Sequence, residues 1–227
     1  MANPAQLLLD QLRGWRGSQQ QGRPAQTVDN ARQPQGNNWL SHRIAVRHLD
    51  AIAELLNQLE QAGRNVRVYR SHYPKWCNMV FAFPGGWSQA AHQALDTTAL
   101  DHLEGLADRL VDFVPAVKAG GLDELRAYAT HVRDLLEEDD SIDQLFKLHA
   151  MQVIAHLNWC IDNHAAVGDF DLREAVERLS STLVGAAARS KYKDRWATAA
   201  TNFVWPFVVG VLAAIPGTAL SQLALGM

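Results

Sequence analysis

Between residues 39 and 63 the apolar side chains Ala45, Leu49, Ile52, Leu56 and Leu59 recur at alternating spacings of four and three, predicting an amphipathic helix that Gly63 stops. The same period in Leu103, Leu106, Leu110, Phe113 or Val114 and Val117 predicts a helix from near Thr97 to Gly120 and Gly121. Leu122, Leu125, Ala129, Val132 and Leu136 mark the next, running into the acidic block Glu137 to Asp140, which reads as a solvated turn. Ser141 with Gln144 forms a capping-box pattern opening a long helix through about His164, and Asp171 with Glu174 does the same for a helix through about Ala188. Helices of this length joined by short turns predict a mainly α protein built as an antiparallel helical bundle. Only 66–86 departs from the pattern. There Val66 to Tyr69 and Met79 to Phe83 look strand-like while Pro74 suits a helix start, so a small irregular or β-hairpin region is the expectation.

Polar composition divides the rest. Residues 1–17 hold a short amphipathic helix with Leu8, Leu9, Leu12 and Trp15 on one side, suited to docking elsewhere or to packing back on the main body. Residues 18–38, rich in glutamine, glycine, asparagine and proline, read as a flexible linker, and 39–188 as the helical body.

After Arg195 no charged side chain occurs up to Met227, and the densest apolar stretch is Phe203 to Leu220. Eighteen helical residues reach about 27 Å, close to the hydrocarbon thickness of a bilayer, so 197–227 is expected to be a C-terminal transmembrane anchor. Arg189, Lys191, Lys193 and Arg195 form a basic juxtamembrane collar over 189–196, which predicts a single pass with the N-terminal body in the cytoplasm. Trp196 and Trp205 suit the interface, Phe203 begins the apolar run, and Pro206 fits a first helical turn. Pro216 followed by Gly217 bends or ends the helix, leaving a re-entrant segment as the alternative. Gly210, Ala214 and Thr218 place small groups on one face, which would let two such helices approach as a homo-oligomer.

Charge is distributed unevenly: net +5 over 1–75, −11 over 76–188 and +3 over 189–227. An acidic body repels polyanions, so nucleic acid is not an expected partner. No secretory signal precedes the body, and Cys77 and Cys160 read as reduced cytoplasmic thiols. The excess of arginine over lysine, with abundant alanine, suggests a high-GC bacterium or phage as source.

His149, His156, Cys160 and His164 fall at offsets that share one helix face, the one metal-ligand candidate. Stacked along one straight helix they cannot all reach a single ion, so two neighbours at most would bind, completed from another helix. A second cluster, His72, Tyr73, Lys75, Trp76 and Cys77, either lines a pocket or covers the end of the bundle. Phosphate loops, nucleophile elbows and dinucleotide fingerprints are absent from the sequence, and no cofactor or catalytic residue is assigned. The expected function is a membrane-anchored helical protein that binds a protein partner at the cytoplasmic membrane face. A self-associating, membrane-perturbing effector of the phage-exclusion kind and a metal-dependent bundle enzyme are the alternatives.

Overall fold

Pro4 opens the first helix, α1 (Pro4–Arg16), where its missing N–H is not needed, and the Asn3 side chain caps it by accepting the Gln6 N–H at 3.0 Å. The computed structural model describes residues 3–16, 27, 30, 32, 39–81, 95–203 and 205–207. Among these residues α1 is followed by α2 (Leu40–Gln61), α3 (Arg67–Phe81), α4 (Thr97–Leu110), α5 (Gly121–Glu138), α6 (Gln144–Asp162), α7 (His164–Arg189) and α8 (Lys193–Thr201). The protein is mainly helical, and Val117 pairs with Phe207 in an isolated antiparallel bridge. Its contacts divide it into two units, residues 2–111 with Ala166–Gly168, and Asp112–Ala165 with Asp169 onward.

In the first unit Ala5, Leu8, Leu9 and Leu12 are fully buried, and α1 packs on α2 and α4. Of the two expectations for α1, packing back on the body is the one observed. Two polar ties fix it: Asn3 Nδ2 donates to the Ala107 carbonyl at 3.0 Å, and Trp15 Nε1 to Ser41 Oγ at 3.2 Å. From the polar stretch 18–38, Arg32 enters this core. Its guanidinium lies 4.2 Å from the Trp15 ring centre and donates to the Met79 and Val80 carbonyls at the end of α3, where a cation suits the helix dipole. Burial pulls that guanidinium down to about 10.

The hairpin considered for 66–86 is not formed over its described part, since Arg67–Phe81 is helical. Trp76, Met79 and Val80 supply an i, i+3, i+4 stripe, whereas Val68 and Phe81, which made the ends look strand-like, are exposed. Pro74 inside α3 costs about 3 kcal/mol, offset by burial of Trp76, whose indole N–H also donates to the Ala99 carbonyl at 2.8 Å. The helix begun at Thr97 stops at Leu110, well short of Gly120. Pro115 explains the early stop, because it disfavours helical backbone at Val114 and offers no N–H to continue the ladder.

His48 is only 2% exposed in this unit, and burial lowers its imidazole to about 4. An unfolded histidine binds its proton near pH 6.5, so between those values the unfolded state holds more protons than the folded one. The associated stability is complete above about pH 6.5 and falls as pH drops towards 4, by about 3 kcal/mol over the range. Urea unfolding between pH 7 and 4 should show this loss, and His48→Gln should flatten it; an unchanged slope in the variant would assign the acid sensitivity elsewhere.

In the second unit Leu125, Ala129, Val132 and Leu136 are buried as the spacing predicts. Three boundaries differ from expectation. Asp143, not Ser141, caps α6 by accepting the Phe146 N–H at 2.9 Å. α6 ends at Asp162, where the Trp159 carbonyl accepts from both the backbone N–H and the side-chain amide of Asn163, so His164 starts α7. Within α7 the helical path breaks at Gly168 (φ 79°, ψ −174°), a conformation open in practice only to glycine, so no capping box at Asp171 is needed.

Candidate functional site

In the acidic turn between α5 and α6 Glu137, Glu138 and Asp140 are exposed as expected of a solvated block, but Asp139 is a buried fastening point. Asp139 is 2% exposed, and its carboxylate accepts from the Ser141 N–H and hydroxyl, the Ser190 hydroxyl and the Trp196 indole N–H at 2.5–2.9 Å. Burial alone would raise this carboxyl, but the donated hydrogen bonds outweigh it and hold the group well below the usual carboxylate range. The segment joining α7 to α8 is thereby tied to the turn, with Lys191 N–H donating to Ser141 Oγ and Arg195 paired with Glu138.

Beyond α8 the chain stays on this unit. Tyr128 donates to the Ala199 carbonyl at 2.6 Å and its ring lies 4.9 Å from that of Phe203. Lys118 gives its backbone N–H to the Pro206 carbonyl and its ammonium to the Trp205 carbonyl. Gly121 permits this approach, since a Cβ there would stand 3.0 Å from the Pro206 oxygen. Trp196 and Phe207 are each 1% exposed. Of the residues assigned to the anchor, Trp196, Phe203, Trp205 and Pro206 therefore lie against the helices of this unit, while Gly210, Ala214, Pro216, Gly217 and Thr218 fall outside the described residues. Among the described residues no helix is long and apolar enough to cross a membrane. In the basic collar Arg189 lies over the Phe146 ring and Arg195 is ion-paired, whereas Lys191 and Lys193 are exposed.

A groove of about 640 Å³ runs between α6 and α7, lined by Phe146, His149 and Val153 on one side and Glu174, Arg178 and Arg189 on the other. Gly185 makes room for the Phe146 ring, which would sit 3.1 Å from a Cβ there. Several polar groups of this groove are engaged: Arg178 pairs with Glu174, and Ser181 and Thr182 donate to backbone carbonyls one turn back. Its chemistry suits an apolar side chain with a charged rim.

The candidate metal ligands separate. His149 is exposed on α6, His156 Nε2 stands 3.8 Å from the fully buried Cys160 sulfur, and His164 on α7 bonds Asp169 at 2.8 Å. Among the described residues no three of His, Cys, Asp and Glu are grouped to hold an ion. The second cluster spreads along α3 as ties to its neighbours: Tyr73 to the Leu49 carbonyl, Lys75 to Asp96, Trp76 to Ala99, with the His72 ring 3.9 Å from that of His102. Burial pushes the Cys77 thiol up, the direction opposite to activation. Asp139 is the residue that sequence reasoning missed. Its one local signal is the Asp-x-Ser spacing of a side-chain turn, for Ser190 and Trp196 arrive from fifty residues and more away.

No protein-family model, no curated protein and no solved structure matches the chain.

Proposed function

We propose that the chain is a membrane-anchored interaction module, with a helical body on the cytoplasmic face and residues 208–227 in the bilayer. The carrying observation is a junction: Phe207 is bridged to Val117, and the twenty residues from Val208 to Met227 contain no charged side chain. As a continuous helix they would extend about 30 Å, close to the hydrocarbon thickness, and a bend at Pro216 and Gly217 would shorten that reach. On this reading the membrane segment would start after Phe207, and the exposed Lys191 and Lys193 would face anionic headgroups on its cytoplasmic flank. Partner binding is assigned to the body, where the α6–α7 groove offers an apolar slot with its ion pairs already closed.

Fractionation tests the reading. Full-length chain should stay with membranes through carbonate and high-salt washes, whereas a chain ending at Phe207 should appear in the supernatant with its helical circular dichroism intact. Release of the full-length chain by either wash would overturn it.

A further inference from the structure

Two ties fix the antiparallel register of α3 against α4. One turn before His72, the Tyr69 hydroxyl donates to the Gly105 carbonyl at 3.3 Å, and one turn after it the Trp76 indole N–H donates to the Ala99 carbonyl at 2.8 Å. His102 stands midway between Ala99 and Gly105, so the ties bring it opposite His72. The two ring centres are 3.9 Å apart with their planes tilted by 47°, and both residues are half-buried.

The His72 imidazole has a defined tautomer. Its Nδ1 lies 3.1 Å from the Val68 carbonyl and 3.2 Å from Ser71 Oγ, whose own proton goes to the same carbonyl at 2.7 Å. A carbonyl only accepts, so Nδ1 carries the proton and Nε2 keeps its lone pair, as in metal-binding histidines whose other nitrogen is held by a backbone oxygen. His102 makes no hydrogen bond among the described residues, which leaves its ring nitrogens uncommitted. Lys75, one turn further along α3, is neutralised by Asp96 at 3.1 Å.

We propose that His72 and His102 form a two-imidazole site for a divalent copper or nickel ion. Separation selects the metal. With a metal–nitrogen bond of about 2 Å, two imidazoles at a right angle on one ion hold their ring centres about 4.5 Å apart, and at a tetrahedral angle about 5 Å apart. The rings must open by about half an ångström for the first and by about twice that for the second, so the pair suits square-planar or tetragonal copper(II) and nickel(II) better than tetrahedral zinc. No third His, Cys, Asp or Glu is grouped with them among the described residues, so the other positions fall to water or to a ligand from outside. The site lies within the first unit and depends on neither the anchor nor the groove.

Isothermal titration of the full-length chain with nickel(II) tests this. One equivalent should bind, His72→Ala and His102→Ala should each weaken it more than about tenfold, and His149→Ala should leave it unchanged. The ion should raise the melting temperature of wild type and of neither variant, while in EDTA all three melt alike. Independently of any variant, electron paramagnetic resonance of the wild-type chain with substoichiometric copper(II) should show coupling to two imidazole nitrogens. Coupling to one nitrogen, or nickel binding that survives either substitution, would overturn the proposal. Zinc bound more tightly than copper would overturn the choice of metal.

Discussion

Replacing Asp139 by alanine is expected to destabilise the second unit by about 3–5 kcal/mol, one of the largest single-residue effects in the protein. The carboxylate accepts four hydrogen bonds, and bonds to a charged group contribute about 1.5–3 kcal/mol each before the coupling among them is discounted. Truncation also leaves the Trp196 N–H and the Ser190 hydroxyl buried without their acceptor, which costs more than the bonds were worth. Asn at 139 keeps one acceptor oxygen and should fall between alanine and wild type. Acid should act through the same group. A carboxyl held below its unfolded value contributes stability that is complete above about pH 4 and is lost as pH falls through the folded value. Urea unfolding of the variants at pH 7 and at pH 3 separates the cases: the Asp139→Ala chain should lose less on acidification than wild type. A loss under about 1 kcal/mol at pH 7 would show that the turn does not fasten the 190–196 segment.

Helices whose core stripe is continuous were legible from spacing alone. Ala45, Leu49, Ile52, Leu56 and Leu59 in α2 are all buried, as are Leu125, Ala129, Val132 and Leu136 in α5. Where the reading failed, a long-range contact or a single backbone position decided. α3 is a helix because Trp76 inserts beside Ala99, a contact invisible to local pattern, and the break in α7 is set by the positive φ of Gly168 alone. The boundary at Leu110 had a signal in Pro115 that the apolar period overrode. The acidic block was read as solvated because four consecutive carboxylates normally are, but Asp139 turns inward to donors that the sequence places far away. The histidine offsets did put His149, His156 and Cys160 on one flank of α6, yet that flank runs from solvent into the core. A shared face is not a shared site.

Ending the chain at Arg195 is expected to unfold the second unit, whereas ending it at Phe207 should leave it intact. The shorter truncation removes Trp196, Ala199, Ala200, Pro206 and Phe207, all buried, together with the acceptor of the Tyr128 hydroxyl and the partner of the Lys118 N–H. Loss of a buried Trp and a buried Phe costs about 3–5 kcal/mol each, which approaches or exceeds the 5–15 kcal/mol that holds a typical domain. The chain ending at Arg195 should therefore show reduced helical circular dichroism and no cooperative urea transition for this unit; a transition equal to that of the Phe207 chain would mean that the 196–207 segment contributes little. The distinction also governs how anchoring is tested. An unfolded truncation aggregates and sediments, so a chain ending at Arg195 would pellet with membranes for a reason unrelated to the bilayer. Removal after Phe207 takes away the uncharged segment while keeping the buried Trp196, Ala199, Ala200, Pro206 and Phe207.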